Sequence, residues 1–214
     1  PWLHTAGEIA RLKAALTPKG IRLKPTARNL IDKAWGRQRP PPPSAPVVPQ
    51  PVEFTGKSAT EKIADLQKQL KADGQSAVVL TLPDSLCWLL NIRGGDVEHN
   101  PVALCFAIVP VSGKAELNIE TAKIGRDAKA HLAAVAKILP KAKLGERIAA
   151  LKAQGKRVRI DVDTAAHWFA AAIGPASLTK GADPCILPKA IKTGAEIEGA
   201  RGAHVRDGVA VARY

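Results

Sequence analysis

Residues 77–119 read AVVLTLPDSLCWLLNIRGGDVEHNPVALCFAIVPVSGKAELNI. Ala77 to Leu82 is a continuous apolar run rich in β-branched residues, the pattern of a strand covered on both faces. Pro83-Asp84-Ser85 turns the chain into a short apolar helix that ends near Asn91. Val102 to Val109 reads as a second buried strand. Pro110 to Gly113 supplies a hairpin turn, and Ala115 to Ile119 alternates as the partner strand. Two buried strands separated by a helix, followed by a hairpin, require a sheet of mixed direction covered by helices.

The same reading extends outward. Ser58-Ala59-Thr60-Glu61 is a capping box opening a helix in which Ile63, Leu66 and Leu70 share a face, and Gly74 ends it. Downstream, Ala128 to Ala134 and Leu144 to Ala153 suggest helices, with Ala136 to Leu139 as a strand between them. Arg157 to Val162 alternates, so one face of that strand is exposed. Ala165 to Ile173 is a helix and Ser177 to Thr179 a last strand. Thr193-Gly194-Ala195-Glu196 is a further capping box, opening a helix still running at Tyr214. The predicted class is α/β: a mixed β-sheet flanked by helices, with a helical N-terminal segment and a long C-terminal helix.

Composition divides the chain. In residues 1–36, Ile9, Leu12 and Leu16 share a helical face, Gly20 breaks the pattern, and Ile21-Arg22-Leu23 alternates like a short strand. Asn29 can cap a brief helix carrying Leu30, Ile31 and Trp35. So short a segment is no stable domain, and it reads as the tail of a truncated first one. Residues 37–52 are a linker: Pro40 to Pro43, then Pro46, Pro49 and Pro51, favour extended polyproline II. A domain connector is favoured over an SH3-type ligand, because the run lies between structured patterns. Residues 53–187 form the middle α/β domain, and 188–214 open another. Pro1 at the start, the absence of Met and a last helix cut at VAVARY lead us to expect boundaries at both ends.

The 214 residues, 46% of them hydrophobic, suffice for one substantial core. No run of 18 apolar residues exists, and no signal-peptide pattern opens the chain, so no membrane association is expected. Cys87, Cys105 and Cys185 are far apart and form no CxxC pair, which suits three buried free thiols in a reducing compartment. The formal net charge of +13 raises the question of an anionic partner, nucleic acid above all. Yet acidic residues are interleaved with the basic ones and aromatics are only 4%, poor for base stacking, so a solvated basic surface is favoured.

No GxSxG, HExxH or P-loop pattern occurs. His4, His99, His131, His167 and His204 are solitary, none with a His or Cys at zinc-ligand spacing. His131 and His167 fall in helical patterns and are expected to pack, half buried. His204 with Asp207 at i+3 reads as a helical ion pair. Asp161 and Asp163 share one side of a strand end and could hold a divalent cation, but with no further ligand Asp163 reads better as a helix cap. The polar segment from Asn91 to Pro101 stands apart, lying between an apolar helix and a buried strand. Arg93 can reach Asp96 across it, so the loop is either ligand-facing or a turn that satisfies itself.

Residues 85–108, SLCWLLNIRGGDVEHNPVALCFAI, resemble the middle domain of three-domain Xaa-Pro aminopeptidases of the creatinase/prolidase class, with RGGDVEHNPV as the most specific stretch. PWLHT, NLIDKAW with its proline-rich connector, and ADPCILPKAIKTGAEIEGARGAHVRDGVAVAR resemble the flanking junctions. The resemblance covers essentially the whole chain and is weakest between 121 and 155. It implies a creatinase N-terminal type fold and a cytoplasmic parent that removes the residue preceding proline from peptides. That parent would carry two divalent metal ions, manganese as the expected metal, held by two Asp, two Glu and one His in a catalytic domain in cis, and a homodimer is its expected state. None of those ligands maps onto this chain, so no catalytic or metal residue is assigned and the chain alone is expected to be inactive. Arg93, Asp96, His99 and Asn100 are the residues expected to face substrate or the catalytic domain. Gly95 stands where relatives often have a small polar residue. The competing expectations are a free-standing binding module and a basic nucleic-acid-binding domain.

Overall fold

Thr5 opens α1 (Ala6–Leu16): its hydroxyl accepts from Glu8 N while the Glu8 carboxylate accepts from Thr5 N, satisfying two otherwise orphaned amides. The computed structural model describes residues 2–26 and 29–214 of the chain. Asn29 caps α2 (Leu30–Trp35) by accepting from Ile31 N, as its position predicts. Residues 21–23 form no strand, having no strand beside them to pair with among the described residues. The proline-rich run is extended until β1 (Val48–Pro49), followed by the single turn α3 (Val52–Thr55).

The Ser58 capping box opens α4 (Ala59–Ala72), which buries Ile63, Leu66 and Leu70 as the periodicity requires. Next come β2 (Ala77–Leu80), α5 (Pro83–Leu89) and the short β3 (Ile92–Arg93). Strand β4 is Phe106–Pro110, shorter than the apolar run that predicts it. Val102, Ala103 and Cys105 are buried and Leu104 half-buried, but the stretch is unpaired as strand, because the Ala103 and Leu104 amides donate to Cys87 Sγ and Asp96 Oδ2. The chain continues through β5 (Ala115–Ile119), α6 (Arg126–Leu132), β6 (Ala136–Pro140), α7 (Leu144–Ala153) and β7 (Val158–Ile160). It ends with α8 (His167–Ile173), β8 (Leu178–Lys180), α9 (Ile186–Ala190) and α10 (Gly194–Arg213).

Six strands form one sheet in the order β6-β5-β4-β2-β7-β8. The pairs β2/β4 and β4/β5 are antiparallel, and β5/β6, β2/β7 and β7/β8 parallel, so the sheet is mixed. Alternation along β2 sends Val78 and Leu80 into a core shared with α4 and α5, and Ala77 and Val79 into one shared with α7 and α8. A separate two-stranded sheet pairs β1 with β3, Val48 opposite Arg93. Val47 N also donates to Lys123 O at 2.9 Å, so the end of the proline-rich run is stitched to the α/β unit.

Three expectations about single side chains are corrected. Asp163 caps no helix: α8 begins after Ala166 without a side-chain cap, and Asp163 Oδ1 instead meets Arg11 at 3.3 Å. Asp161 is the partner of the local backbone, accepting from Asp163 N and Asp183 N. His204 does not pair with Asp207; its Nδ1 lies 2.8 Å from Ala200 O one turn back. All three cysteines are buried and free, and burial pushes each thiol up, away from reactivity.

Candidate functional site

The segment 91–101 begins where α5 ends. Asn91 turns the chain with φ 49° and is fully buried, a conformation its short amide tolerates. Its Nδ2 donates to Lys57 O (2.9 Å) and Thr55 Oγ1 (3.2 Å), and its Oδ1 accepts from Lys62 Nζ at 2.7 Å. Lys62 is 3% exposed, also donates to Trp88 O at 2.9 Å, and lies 4.4 Å from the Trp88 ring centroid. Desolvation outweighs the field of Glu196 and brings its pKa down to about 8. Lys62 is the one polar residue on the buried stripe Ala59, Ile63, Leu66, Leu70, a signal carried by periodicity and by no motif.

Pairing of β3 with β1 fixes Arg93. Beyond it the chain folds back: Gly94 N donates to Pro101 O and Asp96 N to Val102 O. A Cβ on Gly94 would lie 2.9 Å from the Ala103 backbone, so only glycine permits this approach.

Arg93 and Asp96 do not meet. Arg93 Nη1 donates to Ile92 O at 2.9 Å, and its guanidinium has no carboxylate partner among the described residues. Asp96 turns inward and accepts from Leu104 N (2.7 Å), Ala45 N (3.1 Å) and the Lys123 ammonium, which is itself fully buried. Burial raises the Asp96 pKa, but Lys123 and the two amides outweigh it and hold the carboxyl below its ordinary value. Lys123 sits in a single 3₁₀ turn in the region of weakest pattern, and no sequence signal marks it. His99 projects into solvent with its side chain 91% exposed, 3.4 Å from Glu98.

Arg93 and Asn100 do come together. With Trp88, Asp84, Lys189, Lys192 and Glu196 they line a groove of about 220 Å³ between the loop and the start of α10. Asp84 pairs with Lys189, whose charge outweighs burial and keeps the carboxyl low. Trp88, Lys192 and Glu196 also line a neighbouring cleft of about 340 Å³ reaching Lys62, so the two form one surface. Thr193 Oγ1 donates to Thr55 O, and Gly56 (φ 65°) leaves room for the Thr193 side chain, so α10 is tied to the domain at its first turn.

The sequence profile of the creatinase/prolidase N-terminal domain matches residues 38–196. The chain belongs to that family. Over its whole length this creatinase/prolidase domain chain is 35% identical, across 227 aligned residues, to the probable Xaa-Pro aminopeptidase P of Paracoccidioides lutzii, covering 36% of that protein. An X-prolyl aminopeptidase from Caenorhabditis elegans, described as a cytosolic enzyme with a di-nuclear active site, superposes with a TM-score of 0.90 at 28% identity, over 98% of this chain and 35% of that one. An Xaa-Pro dipeptidase from Bacillus anthracis, 19% identical, shares the fold over 66% of this chain and 38% of its own, with a TM-score of 0.51. The chain thus spans about a third of the length of the aminopeptidases it matches. Its described residues do not fit a dinuclear metal centre: nowhere do three His, Cys, Asp or Glu side chains gather. The Asp161 and Asp163 carboxylates are engaged with backbone amides and Arg11.

Proposed function

We propose that this chain is the non-catalytic middle domain of a proline-specific metalloaminopeptidase, a hydrolase removing the residue that precedes proline. The observation that carries the reading is the groove where Arg93, free of any carboxylate among the described residues, and Asn100 face the first turn of α10. A cationic fork and a carboxamide beside an apolar Trp88 wall suit the carbonyls of an extended peptide. The groove opens at the junction toward the catalytic domain in cis, so the middle domain shapes substrate access and domain assembly. Asp96 acts from beneath as the organiser of the loop, and His99 stands at its exposed rim.

The catalytic metals, two divalent ions with manganese the expected metal, belong in this reading to ligands outside the chain. The enzyme works in the cytoplasm, in keeping with three buried free thiols and with the description of the C. elegans enzyme as cytosolic. It acts as a homodimer and has no specific nucleic-acid partner. Coding sequence beyond Tyr214 is expected to supply two Asp, two Glu and one His as ligands, and the purified chain with added Mn²⁺ is expected to leave Xaa-Pro peptides uncut. A stop codon at that point, or turnover that co-purifies with the chain, overturns the reading.

A further inference from the structure

Helix α10 is attached at its first turn. No residue of it is buried, and from Ile197 onward every residue except Gly202 is exposed. The attachment is the contact of Thr193 with α3, where Thr193 Oγ1 donates to Thr55 O at 3.1 Å. Gly56 ends α3 in the left-handed region with φ 65°. A Cβ on Gly56 would come within 2.6 Å of Thr193 Oγ1 and 2.9 Å of Thr193 Cβ, so glycine is what lets the two segments meet.

A buried polar hub supports this seat. The Asn91 amide nitrogen donates to Thr55 Oγ1 and Lys57 O, on either side of Gly56. Lys62 Nζ in turn donates to Asn91 Oδ1 and to Trp88 O. Thr55, Asn91 and Lys62 are all buried, and buried side chains bonded in series fix one another's rotamers. Of the charges around Lys62, Glu196 in the first turn of α10 exerts the strongest field. The hub therefore joins α4, the end of α5, the α3 turn and, through Thr55, the start of α10.

We propose that Lys62 and Asn91 are positioning residues that set, through Thr55, the direction in which α10 leaves the domain and the width of the groove between Trp88 and Glu196. The 20 residues of α10 make a lever of about 30 Å. A tilt of about 5° at the seat moves its far end by roughly 2.6 Å. Trp88 and Arg93 line the groove from the side of α5 and the loop, and Glu196 from the side of α10, so the same tilt opens or narrows it. The catalytic consequence rests on the proposed reading that a catalytic domain is joined to α10.

The test places nitroxide labels on the full chain at Lys68→Cys in α4 and Arg206→Cys in α10, both exposed positions, while the three native thiols are buried. Double electron–electron resonance is expected to give one narrow distance with the hub intact. Lys62→Met and Asn91→Asp are each expected to replace it with a broad distribution. Asn91→Asp keeps an oxygen for Lys62 and a residue that tolerates positive φ, and removes the amide donors to Thr55 and Lys57. Gly56→Ala is expected to shift the mean distance by displacing Thr193. Ile148→Val, in the core shared with α7 and α8, costs stability without touching the hub and is expected to leave the distance narrow. In the parent enzyme, Asn91→Asp is expected to lower kcat/KM by up to about a hundredfold, the effect of roughly 1 Å of misplacement, with metal content unchanged. A broad distribution with the hub intact, an unchanged one in Lys62→Met and Asn91→Asp, equal broadening by Ile148→Val, or wild-type kcat/KM for Asn91→Asp would each overturn the proposal. A parent that cuts no Xaa-Pro peptide overturns the functional reading instead, and the distances then decide the seat by themselves.

Discussion

Asp96 and Lys123 form an ion pair in which neither side chain is exposed to solvent, and through it the polar loop is joined to the turn that follows β5. Two further donors, Ala45 N and Leu104 N, saturate the carboxylate. Removing either charge leaves the other buried and unpaired, which costs about 3–5 kcal/mol. Asp96→Asn and Lys123→Met are each expected to lower the chemical-denaturation midpoint by that equivalent. The double variant is expected to lose less than the sum, because no orphan charge remains. Additive losses in urea unfolding would refute the coupling.

Lys62 gives the domain a pH signature. Burial brings its folded pKa down to about 8 from the ordinary 10.5. Below about pH 8 the ammonium is charged in both states and its desolvation cost is borne in full. Between about 8 and 10.5 the unfolded chain binds more protons than the folded one, so this contribution makes stability rise with pH. The rise amounts to roughly 3 kcal/mol at most. The difference in unfolding free energy between wild type and Lys62→Met, followed from pH 7 to 10.5, is expected to shift in favour of the wild type as pH increases. A flat difference would mean that Lys62 is solvated in the folded state.

Much of this was legible in the residues, and the gaps have physical causes. Capping boxes at Ser58 and Thr193 and the uniform apolar run of β2 are local signals, and each element stands where they place it. The extent of β4 was not local: whether residues 102–105 pair as strand depends on Asp96 and Cys87 claiming their amides. Arg93 and Asp96 lie three residues apart, so sequence alone suggested a pair, but the competing partner Lys123 is 27 residues away. Asp163 looked like a cap because its position before α8 is visible, whereas Arg11, its actual partner, belongs to a helix 152 residues earlier.

Gly94→Ala tests the fold-back of the loop. The added methyl would approach the Ala103 backbone to 2.9 Å and its Cβ to 2.8 Å, and backbone cannot swing aside as a flexible side chain can. A loss of about 1–3 kcal/mol is expected, in the range for overpacking. Gly95→Ala is the control: its nearest neighbour would be Ala45 Cβ at 3.4 Å, an ordinary contact. Equal melting temperatures for the two variants would show that the approach at Gly94 relaxes freely.

The groove itself is tested in the intact parent enzyme. Among the described residues the Arg93 guanidinium donates only to the backbone oxygens of Ile92 and Cys87, so truncation breaks no ion pair there. If its guanidinium binds a substrate carbonyl, Arg93→Ala removes a charge-assisted contact worth roughly 1.5–3 kcal/mol. Expressed kinetically, kcat/KM is expected to fall about ten- to hundredfold, with metal content and melting temperature near wild type. Asn100→Ala, on the same wall, is expected to act in the same direction and more weakly, since its contact is neutral. His99→Ala supplies the contrast, because its ring stands in solvent beside Glu98 and is expected to leave both kinetics and stability unchanged. A fall in melting temperature without a change in kcat/KM for Arg93→Ala would make the residue a structural tie of β3. Wild-type kinetics for both Arg93→Ala and Asn100→Ala in a folded, metal-loaded enzyme would remove the groove from the substrate path.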